Sequence, residues 1–400
     1  MLEYRPIDDD ETELFYEYMQ YGFRPQNGPV EFDPDDIRRP VGQRRGLYDD
    51  TVEGSEPVSI CRHYIFDLEI RGNSHPGAGL TSVITPPEYR RNGYIQRILS
   101  ESLVEYDRQG RQFSILRPFD YGFYRSFGWE TANEVRNYEC PVEALSFAPG
   151  KVDGAGEFRQ LELDSFDTVS PVYEAFSSNY SLTIERDAEW WRHRVCYSRD
   201  ADPYVYAWFK DGAPQAYLVF RFTGDYHGRT MKVREFAYTD TEALTAVLAF
   251  CYNHDSQADT VEFHAPDDSV FRDLLPAPDE VECTLSTGPM VRIIDVESTL
   301  SALSYPDVDG EIVLSVADDL AAWNDGAFRL SVSAGESHCE PTDAAPAATL
   351  DIASLSQLAV GHRSATDLAR ADRIEVGSEE AIGTLDRLFP TTPVYIRDRF

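Results

Sequence analysis

The sequence predicts a multidomain mixed α/β (α+β) protein, and three observations carry that prediction. Strand-like runs alternate with amphipathic helical runs along most of the chain. A length of 400 residues exceeds what one compact core holds and suits two or three domains. Hydrophobic residues at 42% and aromatics at 12% suffice to build those cores, which excludes wholesale disorder.

Taken in order, Tyr64–Ile70 and Leu80–Thr85 read as strands. A helix follows from Gly93, with Ile95, Ile98, Leu99, Leu103 and Tyr106 on one face and Gly110 placed to end it. Phe113–Arg117 is the next strand, and the Gly- and Pro-bearing stretch 148–156 reads as a linker. The second block has a helical segment at Trp190-Trp191, strands 204–209, 216–222 and 231–238, and a helix over 242–252. The third, from about Met290, has strands 311–316 and 327–332, then helical stretches 354–359 and 365–371. The acidic, Ala/Pro-rich run from Glu336 to Ala348 is expected to be a surface loop. These blocks give domains at 1–147, 148–288 and 289–400.

Composition narrows the function. Seventy Asp and Glu against 36 Lys and Arg give a net charge of −34. Such a surface repels nucleic acid and anionic membranes, so neither is an expected partner. Only Lys151, Lys210 and Lys232 are lysines; every other basic residue is arginine. An acidic surface nearly free of lysine is what a cytoplasm at molar salt calls for, where the Debye length falls to about 3 Å and carboxylate repulsion is screened. A halophilic source is therefore expected, with the acidity an adaptation of the surface. No apolar run approaches the roughly 18–20 residues of a membrane helix, and Met1–Pro6 has no signal-peptide character, so a cytoplasmic location is expected. The six cysteines form no C-x-x-C pair and the histidines no H-E-x-x-H, so neither a disulfide framework nor a metal is expected.

The chemistry is expected between Val83 and Trp129. There a strand (Val83, Ile84, Thr85) runs into a short basic loop (Arg90, Arg91, Asn92, Gly93) and then a helix opening with Tyr94, Ile95 and Gln96. That order aims backbone N–H groups and the positive end of a helix at one point, which suits a pyrophosphate. A solvated turn that caps a helix is the alternative reading. After the next strand comes Phe119-Asp120-Tyr121-Gly122-Phe123-Tyr124-Arg125-Ser126-Phe127-Gly128-Trp129.

Together, R-x-x-G and the later F-Y-x-x-x-G-W resemble the acyl-CoA-binding core of GNAT N-acetyltransferases. More closely, the chain resembles the Eis (enhanced intracellular survival) family, in a haloarchaeal-type homologue. The helical Glu189-Trp190-Trp191-Arg192 and the terminal Phe400 fall in the matching order. The resemblance implies tandem GNAT-like domains, the second degenerate, followed by a sterol-carrier-protein-like domain.

It also implies roles. Val83, Ile84 and Thr85 would present backbone groups to the pantetheine and thioester of acetyl-CoA. Arg91, Asn92, Gly93, Tyr94, Ile95 and Gln96 would cradle its pyrophosphate with Arg90 alongside, and Phe119 and Asp120 would border the cofactor. Tyr124 matches the family's general acid; the free carboxylate of Phe400 matches its general base. The acceptor would be a primary amine, and the assembly a homo-oligomer, possibly a hexamer. Taken without the resemblance, Tyr124 is equally a packed aromatic and Phe400 a frayed terminus. Arg397 and Arg399 beside the chain end argue against highly cationic acceptors. In the second block, 237–242 offers Asp240 and Glu242 where a phosphate loop would need arginine and glycine, so one active site per chain is expected. The alternative function is a non-catalytic acyl-CoA- or lipid-binding scaffold.

Overall fold

The computed structural model describes residues 1–29, 32, 42–52, 54, 56–152, 154, 156–197, 201–225 and 228–400. Asp153 and Ala155 of the expected linker lie outside the described residues. The chain divides into two compact units. One comprises Met1–Ala132, Pro289–Thr392 and Phe400; the other comprises Asn133–Gly288 and Pro393–Arg399.

The larger sheet of the first unit is built from β1 (Leu2–Pro6), β2 (Gln43–Asp49), β3 (Ser59–Ile70), β4 (Asn73–Ile84), β5 (Phe113–Leu116) and β6 (Glu130–Thr131). These strands lie in numerical order except that Met290–Ile293 is inserted, antiparallel, between β5 and β6. β3 and β4 form a long hairpin because Arg71 and Gly72 both adopt positive φ, the geometry a two-residue turn needs to match strand twist. β4 then pairs parallel with β5 through the crossover helix α2 (Tyr94–Arg108). That helix buries Ile98, Leu99, Leu103 and Tyr106 against the sheet and ends at Gly110, whose φ of +66° makes a left-handed cap. On the opposite face of the sheet, α1 (Thr12–Phe23) packs Phe15 onto Ile60 and Ile84.

The remainder of the first unit is a second sheet in the order 336–341, 326–333, 310–317, 348–351, 374–376, with helices at 296–302, 352–359, 365–370 and 379–388. The acidic run expected as a surface loop is thus corrected in its first half. Glu336–Pro341 is an edge strand paired with 328–333, with Cys339 turned inward and its acids left outward. Pairing and one buried side chain outweigh the acidic composition there.

Buried polar contacts join these two sheets into one body. Arg292, fully buried, donates to Asp318 Oδ1 at 2.7 Å and to the Phe127 carbonyl at 2.6 Å. Ser356 Oγ accepts from the Ile293 N–H at 2.8 Å, and Gln357 Nε2 donates to the Thr131 carbonyl at 2.8 Å. Gly128 cannot be replaced here: φ is +86° and an added Cβ would collide with the Arg292 guanidinium.

The second unit holds one sheet, ordered 282–287, 134–141, 260–266, 230–238, 213–223, 204–210, 156–161, with helices at 166–177 and 241–252. The strands and the helix expected over 204–252 are all present. The chain enters this unit at Asn133 and leaves it at Gly288, so the residues on either side of position 147 both lie within it. Among the described residues no helix is long and apolar enough to cross a membrane.

Candidate active site

The two strands that matter most are β3 and β4. In their register Arg62 faces Thr81, Tyr64 faces Gly79 and Phe66 faces Gly77. Directly opposed residues share a face, so two aromatics stand across from two glycines and leave a trench. The ring of Phe400 fills it, 5.5 Å from the rings of both Tyr64 and Phe66. A Cβ on Gly79 would lie 2.6 Å from Phe400 Cε2, so glycine is what admits the ring. The chain terminus is docked rather than frayed, and the Thr81 hydroxyl donates to the Phe400 main-chain oxygen at 3.3 Å.

Thr81 also marks where the sheet opens. The parallel pairing of β4 with β5 stops at Leu80 and Leu116. One residue later β4 bulges against β3, with Ser82 at a φ of +55°. A bulge re-aims the backbone, and the residues past it, Val83, Ile84 and Thr85, have no partner strand on the β5 side among the described residues. Two of their carbonyls have intramolecular partners: Ile84 O accepts from the Ser59 hydroxyl at 3.1 Å and Thr85 O from Arg90 Nε at 3.0 Å. Arg90 is therefore turned back onto the strand.

Arg91, Asn92 and Gly93 are exposed, and two of them stand in left-handed backbone, Arg91 at a φ of +62° and Gly93 at +79°. Gly93 is the N-cap of α2, and no side chain among the described residues caps that end. The first N–H groups of this 15-residue helix thus open beside Arg91, a geometry that suits an anion. Tyr94 is held by a 2.7 Å hydrogen bond from its hydroxyl to Asp49, and Ile95 packs on the core while Gln96 is exposed.

Tyr124 rides on α3 (Tyr121–Arg125), one link beyond β5. Asp120 is the N-cap of that helix, accepting from the Phe123 N–H at 2.9 Å, so its carboxylate is spent on local structure. Phe119 is 70% exposed and stacks edge-on against Tyr124 at 5.6 Å. Tyr124 itself is 4% exposed. Burial, with a small push from the nearby Cys61, raises its pKa well above the ordinary phenol value, so it is protonated at neutral pH.

The residues leading to Phe400 are anchored inside the second unit. Asp398 accepts from Arg186 Nε at 3.0 Å and from Trp190 Nε1 at 2.7 Å. Arg186 in turn makes a bidentate pair with Glu235 at 2.6 and 2.9 Å, and the Tyr217 hydroxyl adds a third bond to that carboxylate at 2.6 Å. Burial would raise the Glu235 pKa, but Arg186 and Arg397 outweigh it and hold the carboxyl well below its usual range. Arg397 is thus committed to Glu235 and to the Phe236 carbonyl.

Of the residues named from sequence, the structure groups Val83–Thr85 with the 90–96 loop, sets Tyr124 after β5, and docks Phe400 on β4. Sequence reading missed Thr81, Gly77, Gly79, Tyr64, Phe66 and the Arg186–Glu235–Asp398 cluster. A Gly-x-Gly inside a strand was the available signal, since glycine weakens a strand unless something approaches it closely. In the second unit Asp240 caps the helix 241–252, accepting from the Ala243 N–H at 2.8 Å. The end that would have bound an anion is already occupied by a carboxylate. Among the described residues no group of three metal-ligating side chains is present.

Comparison with known proteins fits this geometry. A GNAT acetyltransferase domain model matches residues 3–132, a second GNAT model matches 182–293, and a sterol carrier protein domain model matches 296–397. The chain is a GNAT-family N-acetyltransferase with two GNAT domains followed by a sterol carrier domain. Within that class it is Eis-like. An uncharacterized N-acetyltransferase of Streptomyces avermitilis is 25% identical over 98% of this chain and 96% of its own. The N-acetyltransferase Eis of Mycobacterium tuberculosis is 24% identical over 84% of each. Among solved structures, a GCN5-related N-acetyltransferase from Anabaena variabilis superposes with a TM-score of 0.86 at 21% identity, over 100% of both chains. Eis1 from Mycobacterium abscessus does so at 0.76 and 22%, also over 100% of both.

Proposed function

We propose that the protein transfers the acetyl group of acetyl-CoA to a primary amine by direct attack, with the Phe400 carboxylate as general base and Tyr124 as general acid. The observation that carries this reading is the docking of Phe400: a ring set in the Gly79 trench and a main-chain oxygen bonded to Thr81 where β4 parts from β5. A GNAT domain implies an acyl-CoA donor, and the uncapped α2 end with Arg91 fits its pyrophosphate.

An amine reaches the site largely as ammonium and must lose a proton to become a nucleophile. A carboxylate has two oxygens with two lone pairs each, so it can accept that proton while one of its oxygens also accepts from Thr81. Tyr124 is kept protonated by burial and can give a proton to the thiolate that departs as the amide forms. Bond-making and both proton transfers then balance without a metal.

The test is to append residues after Phe400, which turns the carboxylate into a neutral amide. Turnover should fall roughly 10²–10⁴-fold, the loss expected for a general base, while donor affinity measured by calorimetry holds. Tyr124→Phe should lower kcat more than it changes the KM of the amine. An extended enzyme that turns over like the unextended one removes Phe400 from the mechanism.

A further inference from the structure

The trench face of β3 carries a charged side chain that the proposed mechanism does not use. Arg62 is opposed in register to Thr81, the residue that holds the Phe400 carboxylate, and follows Tyr64 and Phe66 along the same face. It is only 8% exposed. Its guanidinium lies over the rings of Phe15 at 5.0 Å and Tyr16 at 5.8 Å, both from α1. Neither Nε nor Nη2 has a hydrogen-bond partner among the described residues. Its neighbour in register on β2, Arg44, is by contrast engaged by Thr12 and Asp9.

A buried guanidinium is normally paired, because removing it from water costs more than an aromatic face returns. Here the cost is raised by a second arginine directly opposite on the same face. The arrangement makes sense if the missing partner is brought by a ligand. A planar, forked donor set matches a carboxylate with two parallel hydrogen bonds. The site where that carboxylate would sit borders the one where the acceptor amine must meet Phe400.

Resting on the function proposed above, we propose that the acceptor is a primary amine that also bears a carboxylate, and that Arg62 is the specificity residue that binds it. The amine is then placed against Phe400 while the carboxylate neutralises Arg62. Acceptors that offer only positive charge leave Arg62 unpaired and add repulsion.

The experiment compares matched acceptors: the ω-amino acids from glycine to 6-aminohexanoate, each against its own carboxamide. For the chain length that fits, kcat/KM should favour the carboxylate roughly tenfold to a hundredfold, the range of one charge-assisted hydrogen bond. Arg62→Met should bring that ratio to about one, and Arg62→Lys should restore part of it. Because the substitution removes an unpaired buried charge, Arg62→Met should melt no lower than the parent. Acetylation of both members at equal efficiency by the parent would overturn the assignment of Arg62 while leaving the proposed function standing. So would a preference that Arg62→Met does not change, or an Arg62→Met protein that is markedly destabilised, since Arg62 would then be paired within the chain. Failure to acetylate any member would overturn the carboxylate-bearing acceptor and the role of Arg62, whereas the proposed function stands or falls with the extension after Phe400.

Discussion

Gly79→Ala tests the docking of the chain end with the smallest possible change. The new methyl would lie 2.6 Å from Phe400 Cε2 and 2.9 Å from Phe66 Cε1, where ordinary contact begins near 3.4 Å. The ring of Phe400 therefore has to retreat by about 1 Å. Two terms then nearly cancel in stability. Alanine favours a strand over glycine by about 0.5–1 kcal/mol, and loosening a half-buried ring costs about 1 kcal/mol, roughly half the full burial value. The melting temperature should move by no more than a few degrees. Catalysis has no such compensation. A base must lie within hydrogen-bond reach of the proton it takes, and a 1 Å misplacement costs on the order of 10²-fold. Steady-state kcat for the amine, donor affinity by calorimetry and melting by circular dichroism separate these effects. Replacing Phe400 by leucine in the same background keeps the carboxylate and frees space, so Gly79→Ala with Phe400→Leu should recover part of the loss. A folded Gly79→Ala enzyme with unaltered kcat would refute the argument, as would a double variant no better than the single.

Three further outcomes are expected. Gly93→Glu, which forces a side chain into left-handed backbone and sets negative charge at the open end of α2, should weaken acetyl-CoA binding roughly tenfold by calorimetry, whereas Asp240→Asn in the second GNAT domain should leave it unchanged. Lowering KCl from multimolar to about 0.1 M lengthens the Debye length from about 3 to 10 Å, so at a net charge of −34 the protein should lose stability and turnover together; equal melting curves at both salts would dispose of the halophilic reading. Glu235 has its pKa lowered on folding, so its contribution to stability is complete above the ordinary value of 4.5 and is lost as pH falls below it. Denaturant unfolding from pH 7 to 3 should show that loss in the parent and a shallower one in Glu235→Gln, and parallel curves would exclude the Glu235 cluster as its source.

The strands and helix between Tyr64 and Arg117, those between 204 and 252, the loop of Arg90–Gln96, the aromatic run ending at Trp129 and the poverty of the second phosphate loop were legible in the sequence, because each is local. Periodicity, turn residues and capping residues act over a few positions, and their physics does not need the rest of the chain. Even there the acidic run 336–348 misled, since composition cannot reveal that one inward cysteine and a partner strand await it. What tertiary structure alone decided is who meets whom at long range. Met290–Ile293 enters the first sheet although nearly 160 residues intervene, because hydrogen-bond partners between β5 and β6 are supplied by whichever segment returns there. Phe400 could be recognised as a chain end but not as a docked one: that required β3 and β4 to set Tyr64 against Gly79 and Phe66 against Gly77, a pairing fixed by hairpin register. The same register sets Arg62 opposite Thr81, although nothing in the neighbourhood of either residue in the chain announces the other.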